Sequence, residues 1–239
     1  MRLNLRVTEA PAVEPVTIED AIESLGLASD YPVTRLHNLI RSARALAETY
    51  TNRAFITQTI QLQLDAFPPG RVPWWDGVRQ GSIRQFESFE AIELPRPPVQ
   101  DVIEVRYFDS ENAGHVVDDA WYSLDPISEP ARVVLNAARS WPQPTRAKAA
   151  VLVTYRAGYG ATPTLVPPLV RDAILAHIRD VIDRPNQGVS SESIDNASVT
   201  YGALQVGAAA ESGGAGPTGG LRGGAAAILG PLRVLNVGV

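Results

Sequence analysis

Few residues in this chain have the types and spacing that chemistry requires. Asp118 and Asp119 stand side by side, and Glu87 and Glu90 lie three apart. Paired carboxylates do general acid–base work only when both reach one substrate. Neighbours on a strand point to opposite faces, so the two aspartates read as a turn or a solvated edge. His37, His115 and His177 are the only imidazoles. They are far apart and none belongs to an HxxxH or HxH pair, so their spacing offers no metal centre. The lack of cysteine removes disulfides, thiolate nucleophiles and every Cys-based zinc or iron–sulfur site. The stretch YRAGYGA at 155–161 looks like a phosphate loop, because glycines follow an apolar alternating run. What comes next, TPTLVPP, does not open a helix and the P-loop lysine is missing, so the stretch reads as a strand leaving into a turn. No GxSxG elbow is present. Catalytic residues, cofactors and metals are therefore not expected, nor is enzyme activity.

The tryptophans are the remaining candidates for recognition. Trp74 and Trp75 sit in PPGRVPWWDGVRQGS, whose Pro, Gly and Asp density marks a long loop, and an aromatic pair there suits contact with another protein. Trp121 and Trp141 fit cores or stacking platforms. A net charge of −5 argues against a phosphate-binding surface, which needs clustered Lys and Arg. Lys148 is the only lysine, so arginine carries nearly all the positive charge, which favours planar ion pairs at packed contacts. No apolar stretch approaches the ~20 residues of a membrane span. The first residues lack a secretory signal pattern, so synthesis in the cytoplasm is expected.

Four kinds of element must position these residues. VTIEDAIESLG predicts a short helix with Thr17 as N-cap, Asp20 at the third position and Gly26 as terminator. PVTRLHNLIRSARALAETYTNR predicts a second, with Leu36, Leu39, Ile40, Ala43, Leu46, Ala47 and Tyr50 on one stripe. Its other face carries His37, Arg41, Arg44 and Glu48, expected to meet solvent or a neighbouring subunit. From Phe55 the period changes to two. Ile60, Leu62 and Leu64 alternate with Gln61, Gln63 and Asp65, and further short strands are expected at Ile103–Tyr107, HVV, WYSLD, ARVVL and AAVLVTYRAG. VPPLVRDAILAHIRDVIDRP returns to helical spacing through Val170, Ala173, Ile174, His177, Ile178 and Val181, with Pro185 as the stop.

The fold expected is α+β: two N-terminal helices and one after the sheet form a small helical bundle, into which an antiparallel β-meander is inserted, followed by an extended C-terminal tail. The corresponding boundaries are 1–16 for an N-terminal arm, 17–54 and 164–187 for the helical body, 55–163 for the inserted β domain and 188–239 for the tail. Residues 188–239 hold 12 of the 19 glycines, the composition of a flexible tether. The tether ends in ILGPLRVLNVGV, an apolar peptide suited to docking. IELPRPPVQ leads into the Ile103 strand with Pro95, Pro97 and Pro98, which remove three backbone donors and stiffen the chain. The expectation is a strap that holds the sheet at a fixed distance from the helices.

Taken in order, VTIEDAIESLG, AETYTNRAFITQT, IELPRPPVQDVIEVRYFD, SWPQPTRAKAAVLVTYRAGYG and VPPLVRDAILAHIRDVI resemble the head-to-tail connector (adaptor) proteins of tailed bacteriophages and gene transfer agents. The resemblance runs from about residue 16 to about 184. SESIDNASVTYG and ILGPLRVL are similar to stretches near the C-termini of that family, whereas the Gly/Ala run between them departs from its compact ending. The resemblance implies a virion protein of the neck: a homo-oligomeric ring, by family precedent a dodecamer, under the portal protein. A downstream neck, stopper or tail protein would assemble on it, and DNA would pass through its lumen without sequence-specific binding. Ile228, Leu229, Pro231, Leu232, Arg233, Val234 and Leu235 would contact the portal. Arg41, Arg44, Trp74 and Trp75 would face subunits or neck partners. A second reading is a β-rich glycan-binding module of a tail fibre or cell-surface system that uses the tryptophans as stacking platforms.

Overall fold

The computed structural model describes residues 4–68, 91–136, 139–144, 146–183, 220–222 and 224–234, and the backbone of 191–194 and 197–200. The chain divides into two compact units. One combines 1–13, 52–166 and 234–239; the other combines 14–51 and 167–233.

The first unit is built of antiparallel strands. A five-stranded sheet has the order β1 (Asn4–Glu9), β2 (Gln58–Leu64), β8 (Val151–Ala157), β4 (Val99–Phe108) and β5 (Gly114–Val116). A three-stranded sheet has the order β3 (Ala91–Leu94), β7 (Ala131–Leu135) and β6 (Tyr122–Asp125). The alternation read from the sequence decides which face is buried. Ile60 and Leu62 of β2, Val105 of β4 and Val151, Val153 and Tyr155 of β8 join Ile92, Leu94, Ala131 and Val133 of the smaller sheet in one apolar cluster. Phe67 and Trp141 complete it, stacked with ring centroids 4.8 Å apart. The residues between them in sequence, such as Gln61, Gln63, Thr154 and Arg156, are less deeply buried and turn to the opposite face.

Three features of this unit differ from the sequence expectation. Residues 4–9, expected in a free arm, pair with β2, where Val7 lies opposite Ile60. Ile103, read as alternating in step with Val105, is about half exposed because the register of β4 against β8 slips between Val102 and Glu104. The proline strap joins sheet to sheet: it carries the chain from the end of β3 at Leu94 to the start of β4 at Val99. Its carbonyls are occupied. Pro95 accepts from the Tyr155 hydroxyl at 2.6 Å, Pro97 from Ala54 N–H at 3.2 Å and Pro98 from Gly158 N–H at 2.8 Å.

The second unit is helical. Thr17 caps α1 (Ile18–Leu25) by accepting from Asp20 N–H at 3.1 Å, and Gly26 ends it in the left-handed region at φ 64°. α2 (Val33–Thr51) buries Leu36, Ile40, Ala43 and Ala47. α3 (Pro168–Asp183) buries Val170, Ala173, Ile174 and Ile178. Arg171 of α3 lies 3.2 Å from Asp20, and Arg179 donates to the Ser24 carbonyl at 2.7 Å, so α1 is tied to both ends of α3. A backbone hairpin, β9 (Ser191–Ile194) with β10 (Ala197–Thr200), follows in sequence.

Gly158 marks a close crossing of two backbone segments. At φ 135° it sits where a Cβ would lie 2.5 Å from the Ile56 carbonyl carbon, so both its backbone angle and its surroundings exclude a side chain. Gly158→Ala is expected to destabilise the first unit by roughly 2–4 kcal/mol, read as a fall in Tm of roughly 5–15 °C. An unchanged Tm would show that the crossing relaxes freely.

Candidate interaction surfaces

The residues that suggested chemistry are used structurally. Asp118 accepts from Ala120 N–H at 3.0 Å and caps a short 3₁₀ turn at Asp119–Trp121. The amides of the YRAGYGA turn are engaged by the chain itself: Gly158 N–H with Pro98 and Tyr159 N–H with the Phe55 carbonyl at 3.0 Å. These two amides are not free to cradle a phosphate. Tyr155 is fully buried, and desolvation drives its phenol far above the usual range. It is a neutral donor at every working pH. His115 lies 2.9 Å from Asp109 and stacks on Tyr107, an exposed pair at a turn. His37 is exposed, and His177 is buried in α3. Among the described residues no group of three His, Cys, Asp or Glu side chains is arranged to hold a metal ion. Glu87, Glu90, Trp74 and Trp75 lie outside the described residues.

The tryptophans that are described are packed. Trp141 is in the core beside Tyr122, and the Arg139 guanidinium lies 4.9 Å over the Trp121 ring. Neither forms an open stacking platform for a sugar.

The outer face of α2 divides in two. His37 and Arg41 are exposed, as the helical spacing implies. Arg44 and Glu48 are not: Arg44 is only 8% exposed, donating through Nε to Glu14 at 2.7 Å and through Nη1 to Glu48 at 2.9 Å. Burial alone pulls the guanidinium pKa down, but the hydrogen bond to Glu14 and the charges of Glu48 and Glu14 outweigh it and leave the pKa raised. The expected subunit contact at Arg44 is thus corrected to an internal one. The chain before α1 folds back and supplies Glu14, a partner that helical spacing does not reveal.

The C-terminal peptide is also placed differently from the expectation of a free docking tail. Leu221, Ala225 and Leu229 are buried in the helical unit, the last two belonging to the short helix α4 (Ala225–Leu229), which packs on α2 and α3. Arg222 N–H donates to His177 Nδ1 at 3.0 Å, and the Arg233 guanidinium lies 5.2 Å over the Tyr50 ring. Leu229, expected to meet a portal, is covered by its own chain. Pro231 and Arg233 are exposed, Ile228, Leu232 and Val234 are half-buried, and Leu235 lies outside the described residues.

The feature that sequence reading missed is Ile127. It is 90% exposed at the tip of the β6–β7 hairpin, yet its loop is held firmly. Asp125 Oδ1 accepts from the amides of Ile127 and Ser128 at 3.2 Å each, Arg132 donates to Ser128 Oγ at 2.7 Å, and Arg53 pairs with Glu129 at 2.7 Å. The hydrogen bonds to Ser128 hold the Asp125 carboxyl below its ordinary pKa. An aliphatic side chain fixed in water on an ordered loop has the form of a binding contact, because little entropy remains to be lost on association.

No protein-family model matches the chain, and no curated protein matches its sequence. Solved structures do match. A chain from the neck of an empty GTA particle computed with C6 symmetry superposes on 99% of this chain and 97% of its own length, with a TM-score of 0.64 at 20% identity. This chain has the fold of a gene transfer agent neck component. A chain from the virion of a native gene transfer agent particle matches 79% of this chain and 88% of its own (TM-score 0.60, 19% identity). One from the neck of a native GTA particle computed with C12 symmetry matches 80% and 88% (TM-score 0.57, 23% identity).

Two substitutions separate structural from assembly roles. Arg44→Ala removes the guanidinium from buried Glu48 and half-buried Glu14 and is expected to cost about 3–5 kcal/mol in urea unfolding. Arg41→Ala is expected to stay within about 0.5 kcal/mol of the parent. Equal losses in the two variants would contradict the buried network. Ile127→Asp is likewise expected to leave stability within about 0.5 kcal/mol while reducing incorporation into assembled particles; normal incorporation would remove Ile127 from the interface.

Proposed function

We propose that this chain is a structural subunit of the head–tail neck of a phage-like particle. In this reading it is an adaptor that seats beneath the portal as a ring of identical copies, lets DNA through its lumen, and receives a further neck, stopper or tail protein on its far side. The observation that carries the reading is the match over nearly the full length of both chains to a component of a gene transfer agent neck. The symmetries of the two neck structures, C6 and C12, favour a closed ring, with twelve copies as the number.

The chemistry of the chain supports the same reading. Of the side chains that first suggested chemistry, Asp118 caps a turn, His115 pairs with Asp109 at a turn, and His177 and Tyr155 are buried. A net charge of −5 suits a conduit, since a basic lumen would hold its polyanionic cargo by counterion release. The bore is expected to be acidic or neutral.

Within this proposal Arg41, Trp74, Trp75 and Ile127 serve subunit or neck contacts. The portal contact falls to the end of the chain: Ile228, Pro231, Leu232, Arg233, Val234 and Leu235, with Leu229 as their anchor to the helical unit. Arg44 supports α2 from within and has no partner-binding role. Synthesis in the host cytoplasm and incorporation at the head–tail joint follow from the same reading.

Native mass spectrometry of the full chain mixed with its cognate portal ring tests the proposal. The expected species is the portal plus twelve copies. Particles that join head to tail normally without this chain would sink the neck assignment, whereas a portal complex of different stoichiometry would overturn only the twelvefold count.

A further inference from the structure

The seat of the C-terminal segment contains one polar contact that depends on protonation. His177 is buried on the face of α3 against which α4 packs, and its Nδ1 accepts the backbone N–H of Arg222 at 3.0 Å. An imidazole can accept at Nδ1 only when that nitrogen carries no proton. The rest of the seat is small. Leu221, Ala225 and Leu229 are buried, Gly220 approaches Leu46, and Arg233 lies over Tyr50. In sequence, 36 residues separate Asp183 from Gly220, and those from 202 to 219 are rich in Gly and Ala.

We propose that residues 221–233 form a releasable latch on α2 and α3, held when His177 is neutral and freed when it is protonated. Protonation places an N–H against the Arg222 amide, so donor meets donor, and it sets a positive ring beside the Arg222 side chain. Several charged groups on the elements around α3 are engaged elsewhere. Asp20 of α1 pairs with Arg171, Arg179 is bound to the Ser24 carbonyl, and Arg44 and Glu48 of α2 hold each other and Glu14. Asp180, on α3 itself, favours the charged ring, while burial and Arg222 oppose it. The net effect lowers the His177 pKa from its ordinary value.

The sign of the pH dependence follows. The docked state binds the proton less tightly than the released state, so docking is fully present above the ordinary imidazole value of about 6.5. It is lost as the pH falls below that value toward the lowered one, by at most about tenfold per pH unit. Release uncovers Leu221, Ala225 and Leu229, a stripe spaced by four residues that suits a groove on another protein. The latch stands on the contacts within the helical unit and does not depend on the neck assignment.

Amide hydrogen exchange on the full chain, corrected for intrinsic rates, tests it at pH 7.5 and pH 5.0. Protection of 221–233 is expected to fall at least about threefold at the lower pH while the strands of the first unit keep theirs. His177→Gln retains an amide oxygen that can accept from Arg222 without titrating, so its protection is expected to be the same at both pH values. Unchanged protection in the parent chain, or an equal loss in His177→Gln, would overturn the latch. Should His177→Gln fail to fold, NMR titration of the His177 ring in the parent chain decides. Its midpoint must coincide with the loss of protection, and two separate midpoints would overturn the proposal.

Discussion

The β unit depends on satisfying the carbonyls of a segment that has almost no donors. Pro95, Pro97 and Pro98 have no N–H, so the strap cannot join a ladder, and buried carbonyls without partners would be costly. Three different elements supply the missing hydrogens: the Tyr155 hydroxyl from the middle of β8, Ala54 N–H from the chain entering β2, and Gly158 N–H from the turn leaving β8. The strap therefore fixes the crossing of β3 into β4 relative to the central strand. It also explains Tyr155, a polar residue among the largest fully buried side chains. A phenylalanine there would fill the same volume and leave Pro95 without its donor.

The helical unit meets a related constraint with charge. α2 is too amphipathic to be covered by apolar neighbours alone. Ile40, Ala43 and Ala47 supply one stripe, and the adjoining stripe carries Arg44 and Glu48 into the interior. That arrangement is tolerable only because Glu14 completes the pair on Arg44 and each short hydrogen bond offsets part of the desolvation. The residues just before α1 are held in place by this ion pair as well as by the packing of Val16. A solvated helix face and a buried ionic seam have the same sequence pattern. What distinguishes them is a residue thirty positions away.

That distinction separates what was legible in the sequence from what was not. Local rules were enough where the physics is local. The Thr17 cap, the Gly26 terminator, the period-two run in β2 and the apolar faces of α2 and α3 were all readable, and they gave the α+β class with its antiparallel strands. Long-range pairing carried no such signal. Asn4–Glu9 has too weak an alternation to announce a strand, and becomes one because β2 offers an unpaired edge. The bulge that turns Ile103 outward is a matter of register against β8. Ile127 looks like an ordinary turn residue until the hydrogen bonds around it show that the turn is rigid. The apolar spacing of the C-terminal peptide does not say which surface it meets, and α4 lies against α2 and α3 of its own chain.

The low identity to the matching neck chains is consistent with this division of labour. Identities of 19% to 23% persist alongside superposition over most or nearly all of each chain, which shows that the fold needs few particular residues. It needs an apolar alternation on β2, β4 and β8, turns that let chains cross closely, and helix faces that match. Any of these can be met by many side chains of the right size and polarity. Residues outside those roles are not constrained by the fold, and among the described residues they include the tip at Ile127 and the exposed half of α2 at His37 and Arg41. A change at such an exposed position leaves the packing beneath it intact, so the surface of this fold can alter while its core stays fixed.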